Sequence, residues 1–263
     1  MEATKTAPRS EGVELGLRAV RLLAMGAIAF ALESFLDAYR LAALLMGAFA
    51  VELLAGKVGM RWDETGKRKT LAAALVVGRG FGLGVATALL VVAVAAVSGL
   101  AQVSIGAPNL VGLGLGLVVP FAQAARDELL FRGAPLALLR DRIPDRFALP
   151  FAALLGGAPL LLANDRSPAG IAIVVVTGLI FAVAWRLGKG MFLAWGAHAG
   201  WLFMLGAGTR GTLLDVSFGA GQLLPFVRAE GAIVWVALAV TIVASIGAIV
   251  WWRRSGEVPD ESR

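Results

Sequence analysis

From Gly112 to Leu139 runs a stretch long and apolar enough to cross a bilayer, and its middle reads Arg126-Asp127-Glu128-Leu129-Leu130-Phe131-Arg132-Gly133. Four ionisable groups fall within seven residues, where a membrane helix should carry none. A single such group at the centre of a membrane helix costs about 2.5–3.5 kcal/mol on the lenient insertion scale, so four facing lipid would cost roughly 10–14 kcal/mol if additive. The four therefore face protein or a water-filled cavity, partly paired with one another. A cluster of this kind inside a membrane marks a candidate functional site.

The membrane premise rests on the rest of the chain as well. Hydrophobic residues make up 59% of the 263 positions, and the mean hydropathy is +0.81. Apolar runs predict eight helices at about 17–36, 41–56, 70–100, 110–140, 147–163, 169–186, 190–208 and 231–252. The first two are interrupted by Arg18, Arg21, Glu33 and Glu52. The last is closed by Trp251-Trp252-Arg253-Arg254, an aromatic belt followed by a basic stop. The fold class expected is all-α: a polytopic membrane protein with about eight transmembrane helices around an intramembrane polar cavity. Residues 1–16 and 253–263 read as polar tails flanking one helical domain over 17–252, and the N-terminal tail lacks the pattern of a cleavable signal peptide.

Basic residues orient such a protein. With both termini cytoplasmic, 17 of the 24 Lys and Arg fall inside and 4 outside (Arg40, Arg166, Arg210 and Arg228), while Arg79, Arg126 and Arg132 lie within the membrane. That asymmetry is the positive-inside pattern, and it explains the net charge of +6 without nucleic acid as a partner. The partners expected are membrane lipids and a membrane-associated peptide or protein. There is no cysteine, hence no disulfide, no thiolate nucleophile and no Cys-ligated metal; one histidine, His198, is too few for a two-histidine zinc site. Neither a metal nor a cofactor is expected. The glycines at 78, 80, 82 and 84, and at 112, 114 and 116, contain small-xxx-small spacings, which read as close helix packing rather than as a phosphate loop.

Within the charged segment Glu128 and Arg132 are spaced i,i+4 and can pair along one face, whereas Asp127 points about 100° away. At 1.5 Å per residue Asp127 lies roughly 20 Å from the Arg140 end of its helix, and His198 lies roughly 18 Å from Arg186. A carboxylate and the only imidazole thus share a depth, and such a pair can polarise water for attack on an amide. Spacing alone leaves three roles open: catalysis, structural glue between helices with His198 as a packing residue between Trp195 and Trp201, or transport of a small ion or solute.

At these residues the chain resembles the CPBP family of intramembrane proteases, which includes CAAX prenyl endopeptidases and bacteriocin-processing proteins. Asp127-Glu128-Leu129-Leu130-Phe131-Arg132-Gly133 is similar to the family's E-E-x-x-F-R-G motif, and Lys189-Gly190-Met191-Phe192 through His198-Ala199-Gly200-Trp201 to its third motif, H-x-x-x-N/D. The resemblance covers roughly residues 110–208. It implies an endopeptidase acting near the C terminus of a membrane-presented peptide. Asp127 would be the water-activating base, Glu128 and Arg132 its positioning pair, and His198 an oxyanion or water-holding group.

The chain also departs from the pattern. Asp127 stands where the family has its first glutamate. The histidine of the second motif should fall near Leu160 or Leu161, and the Asn or Asp of the third at Leu202. One lost oxyanion donor costs about 2.7–4 kcal/mol of barrier. The departures favour a pseudoprotease that binds a membrane-presented peptide or partner, with an active endopeptidase and a transporter as alternatives. An alanine- and arginine-rich, lysine-poor composition points to a GC-rich bacterial genome, hence the inner membrane.

Overall fold

Residues 11–56, 60–66, 68–107, 109–139, 142–161, 168–218 and 232–256 are described by a computed structural model. In chain order these are α1 (Glu11–Phe35), a 3-10 turn (Asp37–Tyr39), α2 (Arg40–Ala55), α3 (Thr70–Val97), β1 (Ala101–Ile105), α4 (Leu110–Glu128), a π-helical turn (Leu129–Gly133), α5 (Ala134–Leu139), α6 (Asp145–Leu161), α7 (Pro168–Leu187), α8 (Met191–Leu205), a second 3-10 turn (Ala207–Thr209), β2 (Leu214–Phe218) and α9 (Ala232–Gly256). Each apolar run read from the sequence forms helix, with α4, the π turn and α5 making one rod.

Among the described residues, five stretches are long and apolar enough to cross a membrane: Gly12–Leu32, Thr70–Val97, Leu110–Leu139, Pro168–Leu187 and Ala232–Arg254. The helix Leu41–Ala55 is apolar but shorter, and within the described residues α6 and α8 span 17 and 15 residues, also below that length. Eight crossings are therefore not established by helix length. Of the basic residues behind the orientation, Lys5, Arg9, Lys57, Lys67, Arg140, Arg166, Arg228 and Arg263 lie outside the described residues.

The outside of the bundle is apolar: Phe30, Leu71 and Val243 are 70%, 74% and 67% exposed. Water would penalise so much exposed hydrocarbon, and lipid would not. This is an integral membrane protein. The interior holds two apolar clusters, one around Met25, Val51, Leu129, Trp185 and Met191, the other around Val91, Ile173, Phe181, Met204 and Val234. Ser245 Oγ on α9 donates across the helix interface to Val176 C=O on α7 at 3.0 Å.

The closest helix crossing is α3 against α8, and glycine makes it possible. Gly80 and Gly84 on α3 lie against the α8 backbone at Leu193, Ala197 and Trp201, while Gly196 and Gly200 on α8 lie against Val77 and Phe81 on α3. A Cβ at any of the four would collide with a carbonyl oxygen of the other helix. The small-xxx-small reading thus holds for Gly80 and Gly84, but Gly78, Gly82 and Gly114 have nothing within 4 Å. Gly116 packs on Ala207, and Gly112 sits against its own N-cap residue, Asn109.

No strand was expected, and among the described residues the structure adds one antiparallel pair, β1 with β2, in the register Ala101↔Phe218 to Ile105↔Leu214. It ties the α3–α4 connection to the segment following α8. At the opposite end of those helices the α2–α3 and α7–α8 loops are joined. Met191 N–H donates to Trp62 C=O at 2.8 Å, Glu64 N–H to Lys189 C=O at 3.0 Å and Arg68 Nη2 to Gly188 C=O at 3.2 Å. Gly190 enters α8 with φ +137°, and a side chain there would strike the Trp62 carbonyl.

Candidate functional site

The α4–α5 rod widens where the motif lies. Pro135 has no N–H, and its ring crowds the carbonyl four residues back, so the regular ladder cannot continue through Phe131. Ala134 N–H instead reaches Leu129 C=O, five residues earlier, in a π turn over Leu129–Gly133. Turns of this kind inside α-helices frequently coincide with functional sites.

Glu128 closes α4 and Arg132 lies within the π turn, and the i,i+4 pair expected from their spacing forms: Arg132 Nη1 donates to Glu128 Oε1 at 2.7 Å. Both side chains are buried, Glu128 completely. The same Oε1 lies 2.8 Å from His198 Nδ1 on α8. A carboxylate oxygen accepts, so a hydrogen bond at this distance is one donated by Nδ1. One buried carboxylate oxygen therefore gathers a guanidinium and the only imidazole in the chain.

Asp127 does not reach the histidine. Arg126 Nε donates to its Oδ1 at 2.8 Å and Arg126 Nη2 lies 2.6 Å from the same oxygen, with both side chains partly exposed. The carboxylate–imidazole contact expected at Asp127 is made one residue later, by Glu128. The direction along the helix decides this: residues 127 and 128 differ by about 100°, and only the second faces α8.

Two further elements complete the cluster. Phe181 on α7 stacks on His198 with ring centroids 4.6 Å apart and planes 17° from parallel, and the Arg132 guanidinium lies 5.4 Å from the same ring's centroid. Gly156 on α6 and Gly178 on α7 leave room for the arginine: a Cβ at either would lie 2.8 or 3.1 Å from Arg132 Nη2. Nothing in the sequence distinguishes Phe181 from the other large residues of an apolar helix. The two glycines carry a weak signal, since glycine in a helix interior is costly unless something approaches closely.

Among the described residues, Glu128 Oε2 and Arg132 Nε are buried without a hydrogen-bond partner. Leu202, one turn beyond His198, packs at the margin of the second apolar cluster and offers no polar atom. Position 160 lies in α6 one turn after Gly156; the side chains of Leu160 and Leu161 lie outside the described residues. No group of three or more potential metal ligands occurs among the described residues.

An aromatic column runs beside this cluster. Trp62 packs on Phe192 and Trp195, Trp195 on Phe121, and Phe121 on Phe81, with centroids 5.5–5.9 Å apart. Trp195 Nε1 donates to Phe121 C=O at 2.9 Å, fixing α8 against α4. A cleft of about 190 Å³ lies between α3, α7, α8 and α9, and Phe181 forms part of its wall. Its lining is apolar apart from Thr87 and Thr177, whose hydroxyls donate to carbonyls of their own helices, and the Trp indoles.

Residues 106–204 match the family model described as type II CAAX prenyl endopeptidase Rce1-like. The matched segment contains Glu128, Arg132, Gly156, Phe181 and His198. No curated protein and no solved structure matches the chain.

Proposed function

We propose that this chain, whose residues 106–204 are those of a CPBP/CAAX protease-like membrane protein, is a pseudoprotease that holds a membrane-presented peptide or protein partner without cutting it. The observation that carries this reading is that each carboxylate of the motif already has its own arginine: Asp127 with Arg126, Glu128 with Arg132. Hydrolysis needs a base free to take the proton of water, and donors where the carbonyl oxygen gains charge. Asp127 Oδ1 receives both contacts from its arginine, and Glu128 Oε1 is shared between Arg132 and His198. Leucine at 202 contributes no oxyanion donor. The setting in this proposal is a bacterial inner membrane with both termini cytoplasmic, supported by the distribution of Lys and Arg.

The test is reconstitution in liposomes with a prenylated C-terminal peptide labelled at both ends. Binding without cleavage is expected. Asp127→Glu, Leu202→Asn and Leu160→His combined should recover some turnover, while single changes do little, because such groups act as a unit. Robust cleavage by the parent chain, lost on Asp127→Ala, would overturn the reading in favour of an active protease with Asp127 as base.

A further inference from the structure

Arg79 is a cation without an assigned task. It is exposed on α3, nine residues from Thr70 and so about 14 Å along the helix, and among the described residues it forms no ion pair. A charge left at that depth in hydrocarbon is costly, and arginine relieves it by reaching toward the headgroups. Helical side chains tilt toward the N-terminus, so Arg79 reaches toward the Thr70 end.

One turn farther into the membrane, and about 40° around the helix, Leu83 begins the lining of the apolar cleft, followed by Gly84 and Thr87. The opposite wall comes from α9 through Ala244, Ala248 and Trp251. Three residues beyond Trp251 stands Arg254, exposed, on the neighbouring part of the same helical face. The α3 start and the α9 end are the basic ends of their helices, with Arg68 and Lys69 before Thr70 and Arg253 and Arg254 at the close. An apolar slot therefore extends inward from a rim carrying two exposed cations, and its threonine hydroxyls are satisfied within their own helices.

We propose that this cleft is a binding site for an anionic phospholipid, with its phosphate on Arg79 and Arg254 and one acyl chain between α3, α7 and α9 against Phe181 and Trp201. The charge selects the headgroup, because a zwitterionic lipid brings its own cation to the same arginines. The depth of Arg79 relative to Leu83 sets the order of head and tail. The occupied cleft would back Phe181, which also touches His198 and Arg132, and so stabilise the buried cluster.

The experiment uses the full chain in neutral detergent, titrated with dibrominated phosphatidylglycerol or dibrominated phosphatidylcholine. Quenching of Trp201, a buried cleft residue, is read as the difference between the parent and Trp201→Phe. Phosphatidylglycerol should quench at lower concentration than phosphatidylcholine, by about fivefold for each of the two arginines. Arg79→Gln should cut that preference about fivefold, Arg79→Lys should keep it, and Ala248→Phe should abolish quenching by filling the slot. Equal quenching by both lipids, or a preference unchanged in Arg79→Gln, would overturn the proposal. An anionic preference that survives Ala248→Phe would reduce it to surface attraction, and displacement of the lipid by an equimolar prenylated peptide would assign the slot to peptide.

Discussion

Removing the guanidinium at position 132 isolates the consequence of burying Glu128. The carboxylate is wholly enclosed, and its one bonded oxygen has two partners, Arg132 and His198. In Arg132→Met the charge stays buried with only an imidazole beside it, and breaking a buried pair from one side costs about 3–5 kcal/mol. For a chain of this size that corresponds to a fall in the thermal midpoint on the order of 10 °C. Glu128→Gln combined with Arg132→Met removes both charges but keeps an acceptor for His198 Nδ1. What remains is the space the guanidinium leaves against Gly156 and Gly178, worth about 1–3 kcal/mol as a packing defect. The double variant should therefore melt above the single one in detergent, although it carries more substitutions. A double variant as unstable as Arg132→Met, or a single variant that melts like the parent, would refute the reasoning and mean that water reaches the pair.

Three further outcomes follow from the geometry. Gly84→Ala should overpack the α3–α8 crossing and cost about 1–3 kcal/mol in thermal unfolding, whereas Gly82→Ala, with nothing within 4 Å, should be neutral or stabilising. The Asp63 carboxyl is held below its usual value of 3.8 by the Thr65 hydroxyl first, then by the Arg68 and Thr65 backbone N–H groups and the Arg68 charge, with desolvation opposing. Its contribution to the loop is thus complete above about pH 3.8 and lost as pH falls through the lower folded value. Hydrogen exchange at residues 62–66 should be flat from pH 7 to 5 after correction for intrinsic rates, then rise in acid, and Asp63→Asn should erase that step. Reporter fusions after Lys69 and after Gly106 should lie on opposite sides of the membrane, the first cytoplasmic; the same side for both would overturn the orientation.

The sequence by itself determined the helical membrane class, the eight helical runs and the Glu128–Arg132 pair, because these depend on local quantities. Hydrocarbon excludes unpaired charge, length limits what can cross, and i,i+4 spacing puts two side chains on one face whatever surrounds them. It also put the carboxylates and His198 at a common depth, since rise per residue is fixed. Which carboxylate meets the histidine was not legible, because that depends on how α4 is rotated against α8, a contact between helices some seventy residues apart in the chain. Gly196 and Gly200 read as ordinary small residues until Val77 and Phe81 lie against them. Phe181 joins the site only because α7 packs beside both other helices, and β1 finds β2 across more than a hundred residues. Contacts between segments so far apart leave no periodicity in either one, so only the tertiary structure decided them.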